Sequence, residues 1–290
     1  MEIDERTMEN LMTGPYVFIE ETRSPGYRKI AYFNKAAFKD YSHLIDEHGC
    51  TGFSIEVEDV AENRLQDYFS PDFSNIRKKN DIVEIGIVGS GAFPEDFEFD
   101  VFKGFPNIRK ITTHGISFRV RLPELFPKLE SWLNLDWKTN KVENLDNEWG
   151  DLKNLSLHGF SGSLVLFENS PIKKLFLISS TVKSIDDVLC FKKLEVLQIV
   201  SSKITGNVSR LSELTKLRSL RFEGKNQLEG WDKLESKSVE NFEASHYPCK
   251  FPRQNFPKLE NYVVNAYRAR DPFYEEGGDH DALGDEFAAL

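Results

Sequence analysis

The feature that most constrains this chain is a spacing of apolar residues that returns every 20 to 23 positions. Leu152, Leu155 and Leu157 set it out, and Ile172, Leu175 and Leu177 repeat it. Leu194, Leu197 and Ile199 follow with Ile204 behind them, then Leu217, Leu220 and Phe222. Val239 with Phe242, and Leu259 with Tyr262 and Val264, close the series. Upstream, Ile108 with Ile111, Ile82 with Ile85 and Ile87, and Cys50 with Phe53 and Ile55 are weaker copies. Between these groups, WLNLDWKTNKV is read with Trp132, Leu135, Trp137, Asn140 and Val142 in the repeating positions. A frame opening at Leu129 instead would turn Asn134 into the core. Burying an amide is costly, so Trp132 is taken as the first position.

Side chains alternate along a strand, so the inward residues of each copy form an apolar strip that one copy cannot bury alone. Copies must stack, which predicts one curved solenoid of about ten repeats. Its parallel strands would lie about 4.8 Å apart and line a concave side. Phe105-Pro106, Phe126-Pro127 and Phe256-Pro257 stand just before strands, where a proline removes no ladder hydrogen bond.

The pattern LxxLxLxxNxL resembles that of the irregular leucine-rich-repeat proteins of bacteria, over roughly residues 50 to 270. The resemblance implies an α/β leucine-rich-repeat solenoid that binds another protein and carries out no catalysis. It also suggests an immunity protein, antitoxin-like, that neutralises a toxin by occupying its active surface; the alternative is an adaptor or regulatory scaffold. Phe160, Ser180 and Ser202 stand where the family usually has Asn, so a regular asparagine ladder is not expected.

Both ends of such a stack need covering. Residues 1–49 read as an N-terminal cap. Tyr16 to Glu20 and Tyr27 to Phe33 flank a Ser24-Pro25-Gly26 turn, a hairpin signature. Asn34 can then cap a helix with Phe38, Tyr41, Leu44 and Ile45 on one face, ended by Gly49. Residues 50–270 are the solenoid. Residues 271–290 form an acidic tail whose Phe273 and Tyr274 are expected to fold back on the last repeat.

A formal net charge of -10 and a pI near 5.3 oppose nucleic acid and anionic lipid as partners and favour a basic protein. No apolar run approaches the roughly 18 residues of a membrane span, and Met1 to Arg6 lacks the basic-then-apolar order of a signal peptide. The chain is therefore expected in the cytoplasm. Cys50, Cys190 and Cys249 are too scattered for a disulfide framework or zinc site and read as free thiols.

Three motifs tempt and fail. The glycines of Ile85 to Pro94 lack the third glycine of a dinucleotide loop, Gly159 to Ser163 lacks the closing glycine of a nucleophile elbow, and Asp279-His280-Asp281 lacks the rest of a calcium loop. No cofactor, metal or catalytic set is expected.

If the residues three and five positions after the first of each copy point inward, those two, four and six positions after it face outward. Most outward residues are polar or small, but Phe176, Ile178, Val196 and Val200 gather on two adjacent repeats. Lys174, His158, Arg221 and Glu223 border them. An apolar centre with a polar rim is the composition of a protein interface, so these eight residues are the expected partner-binding site.

Overall fold

The computed structural model describes residues 17–22, 28–56, 71–88, 98–114, 122–135, 149–224, 227–247 and 251–266. The chain forms two compact units that divide between Leu135 and Asp136.

In the first unit, β1 (Val17–Thr22) and β2 (Arg28–Asn34) make the expected antiparallel hairpin, Val17 opposite Phe33 and Thr22 opposite Arg28. β2 then pairs in parallel with β3 (Gly52–Glu56), so the hairpin supplies a rung of the repeat ladder. β4 (Glu84–Val88), β5 (Lys110–His114) and β6 (Ser131–Leu135) continue it in parallel. Between β2 and β3, Asn34 accepts a hydrogen bond from the Ala37 amide at 2.9 Å and starts α1 (Lys35–Tyr41). The helix breaks at Ser42 and resumes as α2 (Leu44–Glu47). Because of that break, buried Ser42 rather than Tyr41 continues the inward face of Phe38 and Ile45; Tyr41 is 43% exposed. Gly49 closes the segment at φ +61, a backbone region that costs glycine little.

The frame at β6 differs from the expected one. Trp132 pairs with Ile111, and Asn134 pairs with Thr113. The repeat therefore opens at Leu129, Trp132 takes the second inward column, and Leu135 lies opposite His114, only partly buried. Leu135 is thus not in one buried column with Leu155, Leu175, Leu197 and Leu220. Asn134 does enter the core, and Thr113 makes that tolerable. The Thr113 hydroxyl donates to Asn134 Oδ1 at 3.1 Å and accepts from Trp132 Nε1 at 3.1 Å. A buried amide with a partner loses much of its desolvation penalty. Trp137, Asn140 and Val142 lie outside the described residues.

In the second unit the described strands follow the expected frame. β7 (Asn154–His158), β9 (Lys174–Ile178), β11 (Val196–Val200), β13 (Ser219–Glu223), β15 (Asn241–Tyr247) and β16 (Asn261–Ala266) pair in parallel. Leu155, Leu175, Leu197, Leu220 and Phe242 form one inward column, and Leu157, Leu177, Ile199, Phe222 and Ala244 the next; none is more than 1% exposed. Ten repeat strands are thus described across the two units, β3 to β6 and these six.

Behind the main sheet, four short parallel strands, β8 (Ser161–Gly162), β10 (Thr181–Val182), β12 (Lys203–Asn207) and β14 (Gln227–Glu229), form a second one. They lead into 3-10 turns capped by Ser163, Ser184 and Asn207, each accepting from the amide two residues on. Each strand of the main sheet from β7 to β13 is followed by a left-handed residue: Gly159 (φ +70), Ser179 (φ +49), Ser201 (φ +49) and Gly224 (φ +84).

Among the described residues, serines stand where the pattern has asparagine. Ser180 Oγ accepts from the Phe160 amide at 3.2 Å and lies 3.0 Å from the Leu157 carbonyl. Ser202 Oγ accepts from the Ser180 amide at 3.0 Å and lies 3.0 Å from the Leu177 carbonyl. Each hydroxyl therefore ties its repeat to the one before it.

Candidate functional site

The candidate site lies on the face of the second unit's sheet away from the core. Strand register sorts its outward side chains into three rows. The first holds Asn154, Lys174, Val196, Ser219, Asn241 and Asn261. The middle row holds Ser156, Phe176, Gln198, Arg221 and Glu243, and the third His158, Ile178, Val200 and Glu223. All eight expected site residues fall on this face, on four neighbouring strands.

Their exposure is not uniform. Ile178, Val196 and Val200 are partly exposed, as expected of outward apolar residues. Phe176 is not: it is 5% exposed, with Ser156 and Gln198 beside it at 5% and 6%. A middle-row side chain has neighbours along its strand and across both adjacent strands. Phe176 is therefore packed on the sheet rather than offered as an anchor, which corrects the expectation for that residue.

The rim is electrostatically asymmetric. On one side stand partly exposed Lys174 and His158, whose Nε2 lies 3.2 Å from Ser156 Oγ. On the other, the Arg221 guanidinium reaches Glu223 at 2.7 Å and Glu243 at 3.3 Å. Burial raises the Glu243 carboxyl above its ordinary value, with Arg221 opposing that shift and Glu223 adding to it. Asn261 Nδ2 donates to Asn241 Oδ1 at 2.9 Å and holds the far end of the first row.

Two polar groups inside the apolar patch were not anticipated from the sequence. Gln198 Nε2 and Ser219 Oγ are buried, and neither has a hydrogen-bond partner among the described residues. Periodicity places both outward but says nothing of their partners. The frame of β6 likewise turns Leu133 and Leu135 outward.

The remaining candidates hold little chemistry. Cys50 is buried and Cys190 partly so, and both are free. Burial pushes the Cys190 thiol up to about 12 and raises that of Cys50, which suppresses the reactive thiolate. Ser161 sits on β8, and Ser163 donates to Asp187 Oδ2 at 2.7 Å, so this stretch closes a repeat. Among the described residues, no three His, Cys, Asp or Glu side chains group as a metal site, and no helix is long and apolar enough to cross a membrane. Gly89 to Pro94, Cys249, the acidic residues from Asp271 and the Asp279-His280-Asp281 motif lie outside the described residues.

No family model and no curated protein matches the chain. Among solved structures it is similar to a leucine-rich-repeat protein of Leptospira interrogans, at 19% identity and a TM-score of 0.48. That alignment covers 75% of this chain and 60% of the Leptospira chain. It is also similar to internalin C2 of Listeria monocytogenes, at 11% identity and a TM-score of 0.34, over 64% of this chain and 72% of the other. The leucine-rich-repeat architecture is read from the chain's own ladders: parallel strands one repeat apart, inward apolar columns, and a hydrogen-bonded serine at the position the pattern reserves for asparagine.

Proposed function

We propose that the chain is a non-catalytic protein-binding module, and that its partner docks on the outward face of the second unit's sheet. The observation that carries this reading is the set of partly exposed Ile178, Val196 and Val200 among polar and charged neighbours. Outward apolar side chains lose free energy to water that a partner can recover. Within this class, the acidic composition fits an immunity protein that neutralises a basic toxin, with an adaptor in a cellular complex as the second reading.

Affinity capture with the full chain, followed by mass spectrometry, tests the reading when run beside Val196→Glu with Val200→Glu. The true partner is captured by the wild type and lost, by at least about 2 kcal/mol of binding, with the variant. A partner captured equally by both docks elsewhere. If that partner is a toxin, co-expression with this chain restores growth to cells that make it.

A further inference from the structure

Away from that face, each of the four turns leading into β11, β13, β15 and β16 carries an exposed lysine. Lys192 and Lys193 precede β11, Lys216 precedes β13, Lys237 precedes β15 and Lys258 precedes β16. All five are exposed. Carried back through the turns, the strand register gives Lys193, Lys216 and Lys258 one shared repeat position, held by Ser238 in the repeat between. Lys192 and Lys237 share the position before it.

Two residues further along, the same turns behave differently. Lys173, Glu195, Arg218 and Glu240 follow one another on adjacent strands with alternating sign, and Lys173 Nζ lies 2.9 Å from Glu195. Like charges on adjacent strands destabilise a sheet and opposite charges support it. The alternating row serves the fold; Lys193 and Lys216, like charges at one position of adjacent turns, work against it. None of the five lysines has an ion-pair partner among the described residues, in a chain with a net charge of -10.

We propose that this lysine stripe is a second docking surface, one that takes an acidic segment of a polypeptide. Four turns span about 14 Å at about 4.8 Å per strand, close to the reach of three alternate side chains of an extended segment. A nucleic acid or an anionic membrane would run beyond the stripe onto Glu195, Glu240 and Glu260. Nor does any exposed aromatic ring, among the described residues, stand beside the lysines for bases to stack on. A short carboxylate run meets only the stripe.

The test measures fluorescence anisotropy of a labelled oligoglutamate peptide titrated with the full chain. Binding is expected at low salt and weakens as salt rises. Lys193→Glu with Lys216→Glu is expected to lower the affinity at least about tenfold, the equivalent of about 1.4 kcal/mol. Lys216→Glu alone restores sign alternation beside Lys193, so its melting temperature holds or rises while peptide affinity falls. Lys183→Glu with Lys203→Glu, which removes two exposed lysines elsewhere in the unit, leaves binding unchanged. Absence of binding at low salt overturns the proposal, as does an equal loss with the Lys183 and Lys203 pair, which would reduce the effect to net charge. Oligothymidylate or phosphatidylserine vesicles binding as tightly through the same lysines would overturn the assignment to a polypeptide.

Discussion

Phe176 points away from the core and is still 5% exposed, so direction and burial part company at this residue. Alternation along β9 settles the direction, because Leu175 and Leu177 fill the inward columns at 0% exposure. Burial depends on the sizes of the neighbours across β7 and β11. Ser156 is small and Gln198 long, which lets a ring pack on the sheet. Phe176→Asp is therefore expected to cost about 3 to 5 kcal/mol, through lost packing and a desolvated carboxylate. Urea denaturation reads this as a lower midpoint. An unchanged midpoint would mean that the ring is free and that Phe176 belongs with the exposed apolar residues of the site.

Among the elements, the strands of the second unit and their spacing were legible, and the polar links between them were not. Ser180 and Ser202 read in the sequence as departures from a pattern; in the fold each hydroxyl reaches back to an amide and a carbonyl of the preceding repeat. A serine reaches these groups because the chain turns through a left-handed residue just before it, Ser179 or Ser201. Ser202→Ala leaves the buried Ser180 amide without its acceptor and is expected to cost about 1 to 3 kcal/mol. Ser202→Asn keeps a donor and an acceptor and should lose less in the same thermal melts. Equal losses would show that the hydroxyl's hydrogen bonds are not the source. At β6 the inward place of Asn134 was not legible because a lone buried amide is costly, whereas Asn134 is held by Thr113, which also accepts from Trp132.

For the whole molecule, net charge and local charge give different answers. A total of -10 favours a basic partner at long range, yet the turns of the second unit present lysines. The two are compatible because charges separated by more than about 8 Å are screened at physiological ionic strength. Association of a basic partner with the sheet face is expected to slow as salt rises, while its dissociation rate, set by Ile178, Val196 and Val200, changes little. Stopped-flow kinetics at several salt concentrations separates the two rates. A salt-independent association rate would remove long-range attraction from the account.

By itself the sequence determined the repeat, the inward columns of the second unit, the N-terminal hairpin and the outward direction of every site residue. These follow from periodicity, and a period needs only the order of residues along one chain. Tertiary structure decided the frame at β6, the burial of Phe176, the serine links, the unmatched Gln198 and Ser219, and the single sign of the turn lysines. Each of these depends on which residue of a neighbouring repeat lies one strand away, and that adjacency exists only once the copies have stacked.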